Sequence, residues 1–529
     1  MRLLNILFIV FFSLSGISCK KLLDVDPTRL LGEESMWNTQ TDAKAAMLGL
    51  LGLSKAAFCD NERYWLYGDL RTIDGKGGDF RSTQRLDLKA ISQNKLTASY
   101  PLIESLRNWR RFYAVVNAAN VFLENAPKII ERDPHYLPVD FRIEAAHARF
   151  LRALAYFNLV RIWGDVPLIL SSNDGQFGNK PRESKEKILA FIEEEIKAII
   201  PDVPVVYKDN NIEPEVPRAS WHMGEWQALK KHGAYAILAQ VYAWQGKYAD
   251  AAICAKWVLD NRTLQALTTG GPSQPMNFLS ADQVRQMFRG EFGSNQYSIL
   301  FGFPHNFVNG EASNSGCLET LTLAAPYILR KSLPDIYVPK DTILSVFKEI
   351  GDQRFYIDPV TALPNGDRYF GVFDRPIPVF TKVFIIKDSN PPPLNSLTGV
   401  GSDGSITLFG SSIVLSRPED MRLLLAEAYT VLGDTDAAFT LLNDARAARG
   451  LPAFNLANGS LIDAIFTERR KEFMGEGHRW YDMVRYKKIK NNDPAFNAMI
   501  QDGGIYWPIA KEVISQNPLL VQYPHWSNN

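Results

Sequence analysis

The stretch GEGHRWYDMVRY, residues 475 to 486, sets Glu476, His478, Arg479, Tyr481, Asp482 and Arg485 within one short run. Carboxylates, an imidazole and guanidinium groups at that density could move protons or stabilise developing charge. Catalysis would also need a polarised nucleophile or a metal beside His478, and the sequence offers neither there. Upstream, Leu461, Ile465, Phe466 and Phe473 recur at helical spacing, with Glu468, Arg469, Arg470 and Glu472 between them. Gly475 and Gly477 break that helix, and Trp480, Tyr481 and Val484 start a second one with a wide apolar face. A tight helix–turn–helix corner would bring Glu468 or Glu472 near Arg479 or Arg485. The stretch is therefore expected to be a packed joint, its charges paired with one another and with turn backbone.

The elements around that joint follow from the rest of the chain. With 529 residues, 46% hydrophobic and 22% charged, the chain can bury a sizeable core as one large domain or two intimate ones. Lys plus Arg equals Asp plus Glu at 58 each, so there is no overall field to draw nucleic acid, and no local basic patch replaces it. The start differs from the remainder: Arg2, the apolar run LLNILFIVFFSL, small residues SGIS and then Cys19. This pattern is that of a signal peptide over residues 1–18, and the cysteine directly after the small residues makes it a bacterial lipoprotein signal with Cys19 as the lipidated residue. The apolar run is too short to span a bilayer comfortably.

Beyond Cys19 stand Cys59, Cys254 and Cys317, odd in number and widely spaced, so a disulfide framework is not expected. The seven histidines form no HExxH motif, and no cysteine pair has zinc spacing. No metal or cofactor is expected.

The strongest periodicity is helical. WQALKKHGAYAILAQVYAWQGKYADAAICAKWVLDN, from Trp226, places Ala234, Ala236 and Ala239 on one helix, a turn at Gly246, and Ala251 and Ala252 on the next. Helices that cross closely need small residues at the crossing and a glycine to reverse the chain. PEDMRLLLAEAYTVLGDTDAAFTLLNDARAARG, from Pro418, repeats the scheme with Ala426, Ala428, Gly433, Ala437 and Ala438, and IEAAHARFLRALAYFNLVRIWGDVPLIL, from Ile143, is a looser unit. The expected fold is mostly α, a tetratricopeptide-like scaffold of helical pairs over about 36–262 and 417–529. An insertion over about 263–416, rich in Gly, Pro, Asn, Ser and aromatics, is expected to supply irregular loops and short strands within the single domain 19–529.

ERRKEFMGEGHRWYDMVRY closely resembles the C-terminal signature of the SusD/RagB family of outer-membrane nutrient-binding lipoproteins. RALAYFNLVRIWGDVPL, KPRESKEKILAFIEEEIKAIIP, RPEDMRLLLAEAYTVLGD and YWPIAKEVISQNPLL resemble its other segments, in family order. The resemblance implies an α-α superhelix and a non-enzymatic, lipid-anchored, cell-surface protein. Such a protein hands an oligosaccharide, or in RagB-like members a peptide, to a SusC-like TonB-dependent transporter. It also implies that ligand contacts lie on variable insertions, while the signatures determine the fold. Behind the lipid, Lys20 and Lys21 stand where acidic residues are often found in surface-exported members.

Two variable regions carry suitable chemistry. NERYWLYGDLRTIDGKGGDF, from Asn61, combines Tyr64, Trp65 and Tyr67 with Asp69 and Arg71, as flat faces and hydrogen-bonding groups for sugar rings or peptide side chains. Asp69, Asp74 and Asp79 lack the spacing of a calcium loop. YSILFGFPHNFVNGEASN, from Tyr297, alternates Phe301 and Phe303 as in a half-buried strand and places Asn306 and Asn309 on a loop, where they are the contact candidates. Two other functions compete with the binding lipoprotein. A tetratricopeptide adaptor would explain the helical pairs but would not require the aromatic insertion. A hydrolase would explain the carboxylates, yet no paired acid motif or GxSxG elbow is present.

Overall fold

A computed structural model describes residues 36–73, 78–172, 179–205, 229–265, 278–288, 298–305, 315–328, 331–366, 368–388 and 407–527. The scaffold is a run of helices: α1 (Gln40–Cys59), α2 (Arg110–Asn125), α3 (Pro138–Trp163), α4 (Lys185–Ile199), α5 (Lys231–Gln245), α6 (Tyr248–Asp260), α7 (Pro418–Leu432), α8 (Thr435–Ala447), α9 (Leu461–Glu472) and α10 (Arg479–Lys490). From α1 to α10 each packs on the next in chain order, and α6 meets α7 across the long insertion. This is the tetratricopeptide-like superhelix of the expected class.

Local chemistry explains the boundaries. Thr39 opens α1 with a capping box: its hydroxyl accepts from the Asp42 amide, and the Asp42 carboxylate accepts from the Thr39 amide at 2.8 Å. Gly246 and Gly433 end α5 and α7 at φ 81° and 89°, conformations open to glycine, and each reverses the chain into the next helix. At the crossings Ala234, Ala236, Ala239, Ala251, Ala426, Ala428 and Ala438 are all fully buried. Every side chain from Phe150 to Val160 is buried, which makes the second half of α3 the interior rod of the scaffold.

The segment between α6 and α7 contains short antiparallel pairs. β1 (Phe301–Phe303) pairs with β2 (Ile413–Ser416), Phe370–Gly371 with Val379–Phe380, and Ile386–Asp388 with Thr407–Phe409. Ile336–Tyr337 reaches back to Arg81–Ser82 near the start of the chain. Phe301 and Phe303 are both core residues, and one apolar cluster runs from the helices through these strands. Among the described residues no helix is long and apolar enough to cross a membrane.

Candidate functional site

The corner between α9 and α10 forms as a joint. Gly475 and Gly477 both take φ 76°, and a side chain at either would strike the ring of Phe380 or of Tyr64. The ion pairs are not the ones expected from local spacing. Glu468 and Glu472 do not meet Arg479 or Arg485. Instead Glu472 receives Arg449 at 2.5 Å, Arg417 at 2.9 Å and Arg354 at 3.1 Å, and Glu468 receives Arg354 at 2.7 Å. Arg485 pairs with Glu427 at 2.8 Å and with Asp482 at 3.0 Å, and Arg479 lies 3.5 Å from Asp79. Lys382, from the insertion, donates to Glu476 at 2.5 Å and to the carbonyls of Glu472 and Met474. Partners supplied by the insertion, the N-terminal half and the neighbouring helices join the local pairs of Asp482, because the corner is wrapped on all sides.

Electrostatics fits a closed joint. Burial pushes the Glu472 carboxyl up, but Arg449, Arg417 and Arg354 together hold it well below the usual range. Asp482 is likewise raised by burial and brought down to about 2 by Arg469 and Arg485. His478 is buried against Phe473, and burial lowers its pKa, so its ring is neutral. Both carboxylates are thus answered by guanidinium groups inside the protein.

The first aromatic region also packs inward. Tyr64, Trp65, Tyr67, Asp69 and Arg71 are all buried. Tyr64 donates to the Val414 carbonyl and Tyr67 to that of Leu106, while Trp65 packs edge-on against Tyr64. Asp69 accepts the Gly477 amide at 2.7 Å, and burial, with Asp79 nearby, raises its pKa to about 8. Arg71 stacks over Trp480 at 4.0 Å and donates to the carbonyls of Gly504, Ile505 and Tyr506. A stacking platform needs an open ring face, so the expectation of an exposed ligand surface at these five residues is corrected. They lock the N-terminal half onto the corner and the C-terminal segment. Asn306, Asn309, Asp74 and Cys19 lie outside the described residues.

The two variable regions do converge on one open feature, through other residues. A cleft of about 650 Å³ lies between the end of α1, the start of α2 and the turn after β1, lined by Lys55, Asp60, Asn61, Glu62, Arg85, Arg111, His305, Ser315 and Gly316 among others. That volume is in the range of small-molecule sites. At its edge Asn61 and Glu62 are both left-handed, at φ 56° and 50°, a conformation that costs a non-glycine residue about 1–2 kcal/mol. The strain is held in place: Asn61 donates to the Ser105 hydroxyl at 2.8 Å, the Gly316 amide donates to Glu62 at 3.0 Å, and Arg63 donates to the Asp60 carbonyl. Over-determined backbone strain of this kind concentrates at binding sites. Burial raises the Glu62 pKa, only partly opposed by the Gly316 amide. A larger cleft of about 780 Å³, lined by Asn94, Lys95, Phe496, Asp502 and His525 among others, has neither the paired left-handed residues nor the convergence of variable regions. Sequence reasoning passed over Lys55, Asp60, Asn61, Glu62 and Arg111. The available signal was the polar triplet Asp60-Asn61-Glu62 directly after the apolar end of α1. Among the described residues no group of three or more His, Cys, Asp or Glu is placed to hold a metal.

A solved SusD superfamily protein from Bacteroides thetaiotaomicron VPI-5482 shares 36% identity with this chain, covering 93% of it and all of that structure, with a TM-score of 0.78. The chain belongs to the SusD family. The family model itself matches residues 410–526. The SusD-like protein P38 of Formosa agariphila is 26% identical over 558 residues, covering 98% of each chain. A solved laminarin-binding SusD-like protein, 21% identical with a TM-score of 0.62 over 92% of this chain, shares the fold. The segment matched by the SusD family model contains the whole corner and none of the residues that line the cleft at α1.

Proposed function

We propose that this SusD-family chain is a cell-surface lipoprotein that captures an oligosaccharide and delivers it to a SusC-like TonB-dependent outer-membrane transporter, acting as a binding protein and not as a catalyst. Cys19 is its lipid attachment point, and the cleft between α1, α2 and β1 is its ligand site. The observation that carries the reading is the meeting of both variable regions at an open cleft edged by two strained residues, in a family whose matched segment here is closed. The laminarin-binding structure of the same fold supports a saccharide as ligand.

The test uses the chain from residue 20 onward in affinity gels and calorimetry against a panel of oligosaccharides and peptides, with an Asn61→Ala, Arg111→Ala double variant beside it. Retention of a saccharide by the parent and loss by the double variant, with circular dichroism unchanged and melting only modestly lowered, is the expected result. Capture of peptides alone, or retention unaffected by the double variant, rejects the saccharide or the cleft respectively. Cys19→Ala in the full chain should leave the membrane fraction, because the acyl chains supply the burial that holds it there. Co-purification of a SusC-like transporter with the lipidated chain tests the partner.

A further inference from the structure

Neutral sugars are held chiefly by flat aromatic faces, with amides and hydroxyls setting orientation. Among the described residues lining the cleft, the only aromatic ring is that of His305, and it is 5% exposed. Cationic side chains take the place of aromatics. Lys55 comes from α1, Arg111 from α2 and Arg85 from the turn before the helix Leu86–Ser92, so three separate elements bring positive charge to one opening.

Of these three, Arg111 has the fork most open to solvent. Arg111 meets Asp60 at 2.6 Å through one guanidinium nitrogen, and its side chain is 52% exposed. A guanidinium carries five donors in a planar fork, so one contact leaves most of that fork for a second acceptor. Arg85, by contrast, grips both oxygens of Asp87, at 3.2 and 2.6 Å, and its remaining nitrogen lies 3.8 Å from Asp335, so its charge is answered within the protein. The opposing carboxyls of the lining are Asp60, already engaged by Arg111, and Glu62, which is buried, accepts a backbone amide, and has its charged form disfavoured by burial.

We propose that the cleft selects an anionic oligosaccharide, one bearing carboxylate or sulfate groups, and that Arg111 reads its charge. The proposal rests on the reading of this cleft as the ligand site. The Asp60–Arg111 pair holds the guanidinium in place until the ligand's acid group shares it.

The experiment compares oligogalacturonate and a chondroitin sulfate oligosaccharide with neutral laminarin oligosaccharides and dextran, by calorimetry on the chain from residue 20 onward. The expected result is binding of a charged probe at least about tenfold tighter than any neutral one, weakening as salt rises from about 0.05 to about 0.5 M. Arg111→Gln should cost at least about tenfold in that affinity and Arg111→Lys less, with melting unchanged for both. Oligogalacturonate carries carboxylates alone and the chondroitin oligosaccharide both carboxylates and sulfates, so loss of binding on desulfation of the second assigns the contact to sulfate. Equal or tighter binding of a neutral glycan that is lost in Asn61→Ala overturns the charge inference while the cleft stands. Binding of any glycan that ignores both Arg111→Gln and Asn61→Ala overturns the cleft itself, and a chain that binds none of the four overturns both.

Discussion

The corner between α9 and α10 and the cleft at the end of α1 are both crowded with charge, and they use it in opposite ways. At the corner Glu472 is shared by three arginines, each at most 2% exposed, and Lys382 is covered on every side. At the cleft Arg111 stands half in solvent with a single carboxylate partner, over backbone that is strained at two successive residues. Density of ionisable residues therefore marks neither stability nor function. What separates the two regions is whether each charge finds its complement inside the chain. A closed network fixes how the insertion sits on the scaffold, and an open one can accept a partner from outside.

The largest expected effect breaks the closed side. Glu472→Ala takes the main carboxylate partner from buried Arg449 and a shared one from Arg354 and Arg417, and should destabilise the protein by about 3–5 kcal/mol in urea titrations. A loss below about 1 kcal/mol would place the corner among ordinary surface ion pairs. Asp69 sharpens the same side through pH. Its folded pKa of about 8 lies above the ordinary 3.8, so its contribution is fully present below about pH 4 and is lost as pH rises toward 8. Asp69→Asn keeps an acceptor for the Gly477 amide without the ionisation. Relative to it, the parent should lose on the order of 1 kcal/mol per pH unit across that window, and parallel stability profiles would refute this. Asp482 has the opposite sign. Held at about 2, it contributes about 2 kcal/mol that is present above pH 4 and disappears as pH falls through its folded value. Asp482→Asn should thus be most harmful at neutral pH and nearly harmless at pH 2. The smallest effect belongs to the open side: Asn61→Gly relieves a left-handed residue while losing the Ser105 contact, and should shift stability by less than about 1 kcal/mol. A large loss there would make the cleft edge structural.

The helical pairs were legible because their signals are local: small residues at crossing positions, and Gly246 and Gly433 at the reversals. The joint was legible as a joint for the same reason, since Gly475 and Gly477 punctuate two apolar faces. Its pairing was not, because Arg354, Lys382 and Arg417 arrive from a segment that gives no sign of its destination. The run Tyr64 to Arg71 misled through its composition. It reads as aromatic and polar, yet the turn Leu66–Leu70 packs between α10 and the helix Leu86–Ser92, so every side of it meets protein. The partners that satisfy Asp69 and Arg71 lie more than four hundred residues away: the Gly477 amide donates to Asp69, and the carbonyls of Gly504 to Tyr506 accept from Arg71. The cleft is equally non-local: Arg85, Arg111, His305 and Gly316 are neighbours only once the superhelix and insertion have formed.

The reach of Arg71 to residues 504–506 has a consequence for the order of events in folding. This guanidinium and its three carbonyl acceptors lie more than four hundred residues apart along the chain. The amide of Trp507 then closes onto the Ile162 carbonyl, and the indole of Trp526 onto that of Tyr506. Until residues 504–526 dock, Arg71 lacks these three acceptors, and the N-terminal helices stay short of their native contacts.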